Sequence, residues 1–443
     1  MMAKRLTGLV YVLTMLIPAI FWKINHGALG ELDRDTLILA IGRLCGLLGS
    51  VGLVWQLLLI SRAKMLEARF GLDTLTRFHH LNGFMTVVFL VFHGPMVTWG
   101  HASQAMVSCS EQLTDFLKNW NDLPQASIGQ IFLFIVFFLS IGFARRRLSY
   151  ETWYRMHLLG YLGIILAFGH QLEQGKEFVD HPAMTNYWYA FYGIAFLLLI
   201  GRRFFMPLLF FIRHRFEVEK TVAEAGDAVS VYIRGNELAA FPARGGQFLR
   251  VRFLAPGFIG EAHPFSLSAP PNKDALRLTI KQSGDFTKKI PRLLPGTRVL
   301  IDGPHGIFTA DRVRGTKVLL IAGGIGITPI HAILDDLLHA GKDLVLLFCN
   351  RNEKGITLRA ELDAVLASVP GAHARIVHIL SDDPTWTGEK GHLDQERLRR
   401  LVTDAAEREV FLCGPPPMME KLRITLTSIG VPLSAIYDER FSL

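Results

Sequence analysis

The chain changes texture twice when it is read as hydrophobic and polar positions. Up to residue 213 the apolar positions form six long runs, at 6–22, 37–60, 79–99, 128–144, 156–172 and 187–212. Each is long enough to cross about 30 Å of hydrocarbon as a helix, so the pattern predicts a six-helix transmembrane bundle. Beyond Phe216 the runs are short and alternating, as in AVSVYIRG, GQFLRVRFL and LRLTIKQ, with Gly, Pro and Asn turns between them. That period predicts the strands of a small antiparallel β-barrel. From Lys317 onward an apolar strand, a glycine turn and a helical stretch repeat, in KVLLIAGGIGITPIHAILDDLLHAG, DLVLLFCNRNE and REVFLCGPPPMMEKLRITLTSIG. This rhythm predicts an α/β doubly wound nucleotide-binding domain. The expected organisation is a multidomain membrane protein with domains at 1–213, 214–312 and 313–443.

Composition and charge place that protein in a membrane. Half of the 443 residues are hydrophobic, and the mean hydropathy is +0.30. The net charge of +8 does not point to nucleic acid, because the basic residues gather in alternate gaps between the apolar runs. One set of gaps holds Lys4 and Arg5; Arg62, Lys64, Arg69 and Arg77; Arg145, Arg146, Arg147 and Arg155; and Arg202, Arg203, Arg213 and Arg215. The other set is acidic or mixed: Glu31, Asp33 and Asp35; Glu111, Asp115 and Asp122; Glu173, Glu177 and Asp180. By the positive-inside rule the N-terminus and everything after residue 213 face the cytoplasm, in a multi-pass protein of the cell (inner) membrane. The first run resembles a signal peptide only in its leading charges. No small-residue cleavage site follows it, and Pro18 and Trp22 fit such a segment poorly.

Two apolar runs carry histidines in pairs. His79 and His93 lie in HHLNGFMTVVFLVFH, and His157 and His170 in HLLGYLGIILAFGH. With the orientation above, His79 and His157 fall near the cytoplasmic side, and His93 and His170 near the external side. Fourteen residues separate the first pair, about 21 Å along a helix and about 40° short of four turns, so both share a face. His80 points about 100° away from His79 and reads as a polar helix-end residue. The 13-residue interval of the second pair leaves its members about 140° apart on an ideal wheel, which tilt, local tightening or rotated cofactor planes must absorb. Zinc sites normally add thiolate or carboxylate and close a tetrahedron. Two axial imidazoles suit a low-spin haem that passes electrons, so the pattern predicts two haems. Without a C-x-x-C-H stretch they are noncovalent b-type groups. For a single His, a satisfied hydrogen bond in a bundle core is the alternative; four at two matched depths favour ligation.

The other candidates are weaker taken singly. Cys45, Cys109, Cys349 and Cys413 are scattered and form no disulfide or metal framework. The turn Gly323-Gly324-Ile325-Gly326-Ile327-Thr328-Pro329 follows an apolar strand and opens a helix. Its glycines let the backbone approach a pyrophosphate, the helix N-terminus supplies amide donors, and Pro329 suits the first helical turn.

Taken together, these residues resemble the bacterial members of the NADPH oxidase and ferric reductase-like transmembrane superfamily. In that family a six-helix di-haem domain precedes a ferredoxin-reductase-like dehydrogenase. The resemblance covers nearly the whole chain and rests on the two His pairs, HPFS at 263–266, SGDFTKKI at 283–290, GGIGITP at 323–329, CGPPPMM at 413–419 and an aromatic near the C-terminus. It implies that His263, Pro264, Phe265 and Ser266 shape the flavin site, with the Ser266 hydroxyl near the reactive edge. Gly284, Phe286 and Thr287 match the segment that begins a helix at the FAD pyrophosphate. Cys413, Gly414 and Pro415 match the nicotinamide-side turn, and Phe441 matches the terminal aromatic that stacks on the flavin. Arg43, inside the second run, matches a partner for an outer-haem propionate, with snorkelling to the interface as the alternative. The family's animal oxidases carry a further His four residues after the outer ligand; here that position is Val97, a departure that bears on oxygen as acceptor. Arg351, after the strand LVLLFCN, suits a 2′-phosphate and so favours NADPH over NADH.

The resemblance implies a transmembrane oxidoreductase, an NAD(P)H oxidase or ferric reductase-type flavocytochrome. Electrons would pass from cytoplasmic NADPH (or NADH) through FAD and two b-type haems to an external acceptor, either oxygen giving superoxide or a ferric chelate. The alternative is an electron-relay subunit that supplies a separate periplasmic redox protein, for which the external loop 100–126 would be a docking surface or a lid.

Overall fold

A computed structural model describes residues 2–439, and the chain divides into two compact units with the boundary between Phe204 and Phe205. The first unit is helical throughout: α1 (Met2–His26), α2 (Arg34–Ile60), α3 (Lys64–Phe70), α4 (Leu72–Ala105), α5 (Cys109–Asn119), α6 (Leu123–Ser140), α7 (Gly142–Arg145), α8 (Tyr150–His157), α9 (Leu159–Leu166), α10 (Phe168–Gln174), α11 (Lys176–Val179) and α12 (Pro182–Ile200). Among the described residues five helices are long and apolar enough to cross a membrane: Thr7–His26, Arg34–Ile60, Thr74–Ala105, Leu123–Ser140 and Pro182–His214. The run expected at 156–172 is interrupted, being built from α8, α9 and α10 with tight turns at Leu158 and Ala167. The expected external loop is largely helix, since α4 continues to Ala105 and α5 follows, opened by a Ser108 and Glu111 capping box.

Small residues set how closely these helices pack. Gly42, Gly46, Gly49 and Gly52 form a stripe on α2 that faces α4; a Cβ at Gly49 would lie 2.9 Å from the Leu90 side chain. Without a hydrophobic force between helices in lipid, such close backbone approach supplies the dispersion contacts that hold them. Gly129 of α6 and Gly163 of α9 make a second approach, each aimed at the other's carbonyl, where added Cβ atoms would sit 2.7 and 2.9 Å away. Two interior polar side chains show how hydrogen bonds are kept inside the bundle, as hydrocarbon requires. Asn82 Nδ2 donates to the Gly52 carbonyl at 2.8 Å, and Trp188 Nε1 donates to Gln171 Oε1 at 2.8 Å.

The second unit begins with α13 (Met206–His214), which packs on it through an edge-on contact of Phe210 with Phe241, ring centroids 5.3 Å apart. Six strands follow: β1 (Glu217–Glu224), β2 (Ala228–Arg234), β3 (Phe248–Phe253), β4 (His263–Ser266), β5 (Leu276–Lys281) and β6 (Val299–His305). They form two three-stranded antiparallel sheets, β1-β2-β5 and β4-β3-β6, where one continuous barrel was expected. Single bridges join the sheets at Glu217–Arg298 and Leu267–Leu278. Alternate residues, among them Val229, Val231, Leu249, Val251, Leu278 and Ile301, fill the core between them.

The remaining strands, β7 (Lys317–Gly323), β8 (Asp343–Asn350), β9 (Ala374–Leu380), β10 (Glu389–Lys390), β11 (Glu409–Cys413) and β12 (Ile436–Glu439), form one parallel sheet in the order β10-β9-β8-β7-β11-β12. Helices α14 (Ile327–His339), α15 (Arg359–Ala367), α16 (Gln395–Leu401) and α17 (Pro416–Ser428) accompany it. Two cores, each made of alternate strand residues, lie on opposite faces of that sheet. Burial on both faces explains why these strands read as near-continuous apolar runs. The strand order reverses between β7 and β11, the crevice where open α/β sheets take their ligands.

The glycine stripe gives a stability prediction. Gly49→Leu should overpack the α2–α4 contact by about 1–3 kcal/mol and lower the thermal midpoint of the detergent-purified protein. A variant that melts with the wild type would show that the two helices are not held this closely.

Candidate functional site

The four paired histidines come together two by two. The His79 and His157 rings lie 6.1 Å apart between centroids, and the His93 and His170 rings 6.4 Å apart, at interplanar angles of 53° and 41°. Two imidazoles bound to one metal at about 2.0 Å per bond, with ring centres set back by roughly another 1.1 Å, would place their centroids about 6.2 Å apart. Both pairs therefore have the spacing at which two imidazoles would hold one metal between them. His79 and His170 each bury a ring nitrogen that has no hydrogen-bond partner, a condition that a bound group would relieve. The described residues hold no cluster of three or more His, Cys, Asp or Glu side chains able to close a metal site, so the donor set at each pair is two imidazoles, which fits haem.

Local structure explains how the pairs form. The 13-residue interval from His157 to His170 is overwound at the breaks in the helix. The Leu158 amide bonds to both Tyr154 and Arg155 carbonyls at 3.2 Å, and the Tyr161 amide bonds to Leu158, three residues back, at 3.1 Å. Tightening from about 100° toward 120° per residue carries the interval toward four full turns, which brings His170 round to the side of His157. On α4 the even winding already places His79 and His93 on one side. His80 is exposed and lies two turns inside α4, not at its end.

The supporting residues mostly escaped sequence reasoning. His93 Nδ1 donates to the Gly42 carbonyl at 2.9 Å, which fixes its tautomer and leaves Nε2 free. Gly46 makes room for that ring, since a Cβ there would lie 2.6 Å from it. Ser140 Oγ stands 3.3 Å from His157 Nδ1. Gln171, beside His170, anchors α10 by accepting from Trp188 and Tyr192. The glycine stripe was visible as small residues at helical spacing; the Ser and Gln contacts had no signal in the sequence. Arg43 lines a cavity of about 210 Å³ together with His93, His170 and Glu177. Glu177 is only 1% exposed, and its Oε1 has no partner.

In the second unit, Ser266 ends β4 with its hydroxyl buried and without a partner. The His263 ring lies 4.0 Å from Phe286, and Phe265 is near-parallel to the same ring at 6.5 Å. Pro264 lies between them on β4, opposite Arg250. Phe286 is itself buried in the core and serves as a wall. The helix expected after Gly284 is a 3₁₀ turn, Thr287–Arg292, and its N-terminus is not bare. The Thr287 hydroxyl accepts from the amides of Ser283 and Gly284 at 3.1 and 2.9 Å, the local hydroxyl-to-backbone pattern that competes with other uses of those donors.

At the crevice of the parallel sheet the two glycine turns meet. A Cβ on Gly414 would lie 3.1 Å from the Gly323 backbone, one on Gly323 would lie 2.8 Å from Pro415, and one on Gly326 would collide with the Cys413 carbonyl. Gly324 takes a left-handed φ of 53°, which glycine adopts without strain. Thr328 and Pro329 are buried in the first turn of α14, where the Thr328 hydroxyl donates to the Ile325 carbonyl at 3.0 Å. Burial, with Glu439 and Asp438 nearby, pushes the Cys413 thiol well above its ordinary range, so it stays neutral. Arg351 is exposed just past the end of β8. Phe441 lies outside the described residues; β12, which leads to it, ends at Glu439 in register with Cys413.

A buried polar seam that the sequence did not reveal ties the flavin-side strands to the parallel-sheet part. Arg277 of β5 donates to Glu361 of α15 at 2.7 Å and to the Ser268 carbonyl at 2.6 Å. His331 of α14 contacts that same carbonyl at 2.8 Å. Burial, and then the Arg277 charge, lower the His331 pKa, so the neutral ring donates there.

Comparisons with known proteins follow the same division. Residues 45–168 match the family described as ferric reductase like transmembrane component, residues 214–309 an FAD-binding domain, and residues 320–423 an oxidoreductase NAD-binding domain. The stachydrine N-demethylase reductase subunit of Rhizobium meliloti is 32% identical over 49% of this chain and 64% of its own length. The glycine betaine monooxygenase reductase subunit of Chromohalobacter salexigens is 27% identical over 52% and 64%. The chain thus spans less than two thirds of these relatives' length. A solved flavohaemoglobin from Malassezia yamatoensis, with bound FAD and haem, aligns at TM-score 0.48 and 18% identity over 90% of this chain and 95% of that one. The chain thus carries a region similar to a ferric-reductase-like transmembrane component, followed by an FAD-binding domain and an oxidoreductase NAD-binding domain.

The meeting of the two turns is testable. Gly326→Val should drive the Gly323 and Cys413 turns apart and lower kcat/KM for NAD(P)H by about 100-fold or more, on the order of 3 kcal/mol, with flavin content unchanged. Steady-state ferricyanide reduction measures it, and wild-type constants would show that the turns do not form the nicotinamide site.

Proposed function

We propose that this chain, whose three matched regions give it the fused architecture of the NADPH oxidase and ferric reductase superfamily, carries electrons across the cell membrane from cytoplasmic NAD(P)H, through FAD and two b-type haems, to an external acceptor. The observation that carries this reading is the pair of imidazole separations, 6.1 and 6.4 Å. They recur on the same two stretches of chain, and neither stretch offers a competing thiolate or carboxylate ligand set. In this reading α8, α9 and α10 together make an interrupted fifth span, so that six spans cross the bilayer. Residues 214–312 form the FAD domain, its two bridged sheets closing on one core in the manner of a β-barrel, and 313–443 the nucleotide domain.

When bound, nicotinamide supplies hydride, flavin separates its electron pair, and haem iron passes single electrons. The chain's own residues hold and orient those groups. His79 and His157 would take the inner haem, and His93 and His170 the outer one. The Gly42 carbonyl keeps His93 in the tautomer that leaves Nε2 free. Arg43, in the outer cavity, supplies positive charge for a propionate and for an anion formed at the exit. Ser266, whose buried hydroxyl is unpartnered, would meet the flavin edge, with His263, Pro264, Phe265 and Phe286 shaping that site. Gly284 and Thr287 would face the pyrophosphate after the Thr287 hydroxyl releases an amide. Gly323, Gly324, Gly326, Thr328 and Pro329 form the dinucleotide turn; Cys413, Gly414, Pro415 and Phe441 orient the nicotinamide; and Arg351 suits the 2′-phosphate of NADPH.

Oxygen, giving superoxide, and ferric chelate are the acceptors this exit suits. A relay to a separate periplasmic protein is the second reading. It is favoured by Leu113 and Leu117, 48% and 44% exposed one turn apart on α5, and by the names of the two curated relatives, which are reductase subunits.

Replacing His93 tests the proposal. His93→Leu should cut haem from two groups to one per chain and stop reduction of external acceptors, while NAD(P)H-driven ferricyanide reduction at the flavin continues. Haem content by pyridine haemochrome decides it; an unchanged two-haem spectrum would overturn the assignment. Cytochrome c reduction sensitive to superoxide dismutase separates oxygen from ferric chelate and from relay.

A further inference from the structure

The last membrane-spanning helix is not regular to its end. Between α12 and α13 the backbone makes one π-helical turn, Gly201–Phe205. Its cause is close by: Pro207, in the first turn of α13, has no amide to offer the Arg203 carbonyl, and its ring crowds that carbonyl. Such turns inside α-helices gather at functional sites, and this one contains two consecutive arginines, Arg202 and Arg203.

Arg203 is half-buried and engaged within the helical unit. Its Nη2 donates to the Tyr154 hydroxyl at 3.1 Å, and its Nη1 to the Ile60 carbonyl at 3.5 Å. Ile60 ends α2, so the guanidinium sits at the negative end of that helix dipole. Tyr154 precedes His157 by three residues on α8, a spacing that puts both on one helix face. The His157 ring in turn faces His79, 6.1 Å away between centroids. An arginine within a spanning segment is expensive unless it serves a partner or a centre. A fixed positive charge beside a metal between two imidazoles disfavours the oxidised, more positive state and attracts any acidic edge group.

We propose that Arg203, aimed by the π-turn and steadied by Tyr154, is the positioning residue of the inner centre on His79 and His157, holding the acidic edge of its porphyrin and raising its reduction potential. The inference rests on the two-haem reading and assigns to the inner level what Arg43 supplies at the outer one.

Potentiometric titration of the detergent-purified holoprotein, followed in the reduced haem bands, tests it. His79→Leu and His93→Leu first identify which spectral component is inner and which outer. Arg203→Gln should then shift the inner reduction equilibrium about tenfold toward the oxidised form, about 59 mV for a one-electron couple, and leave the outer component at its wild-type value. Arg203→Lys should retain most of the wild-type potential, which a role confined to guanidinium hydrogen bonds would not allow. Unchanged potentials in Arg203→Gln, or Lys as damaging as Gln, would overturn the proposal while the two-haem reading stood. A His79→Leu protein that kept both haems would instead sink that reading, and this proposal with it. Should Arg203→Gln yield no folded protein, Tyr154→Phe carries the test: a smaller shift in the same direction, confined to the inner component, supports the proposal, and wild-type potentials for both components contradict it.

Discussion

Everything in the membrane half turns on the cost of placing imidazoles among apolar side chains. A lone histidine in hydrocarbon needs a hydrogen bond or a ligand, and here four of them stand in two facing pairs. The remaining architecture serves that placement. The glycine stripe of α2 lets α4 approach closely enough for the Gly42 carbonyl to receive the His93 proton. The mutual approach of Gly129 and Gly163 holds the interrupted segment against α6 while it winds tightly enough to turn His170 toward His93. Gln171, fixed by Trp188 and Tyr192, secures the far end.

The second unit meets a different constraint, which is to bring two glycine turns and a flavin-side strand to one crevice. Parallel strands buried on both faces place the ends of β7 and β11 side by side, and glycine at 323, 326 and 414 permits contact between their backbones. The Arg277, Glu361 and His331 seam fixes the flavin-side strand end near Ser268 to helices α14 and α15. Removing Glu361, whose side chain is 41% exposed, would leave the buried Arg277 guanidinium without its carboxylate, a larger cost than forming the pair gains, so the seam sets orientation more than stability. A neutral, buried Cys413 suits a role in shaping the nicotinamide site rather than one in nucleophilic attack.

Much of this was legible in residue order. Five of the six apolar runs became helices long enough to span, the 14-residue interval placed His79 and His93 on one side of α4, and the glycine turn after a strand marked the nucleotide fold. The 13-residue interval signalled a misfit without saying how it would be absorbed. The answer lies in turns at Leu158 and Ala167, on a segment that packs against α6 through Gly129 and Gly163. The helix α5 was hidden because its polar residues read as loop, although Ser108 and Glu111 form a capping box. The occupied amides of Ser283 and Gly284 were hidden because a threonine reads equally as a ligand donor or as a local cap. The π-turn had a visible cause in Pro207, but a proline near a helix end is more often only a terminus.

The proposed ligation is open to direct measurement. Near-infrared magnetic circular dichroism of the oxidised wild-type protein, combined with a haem count per chain, reads the axial donors without any mutation. Two low-spin centres per chain, both with paired imidazole ligation, are the predicted result. A preparation with no haem, or one whose iron shows a single imidazole or an open sixth position, would contradict the account at its root.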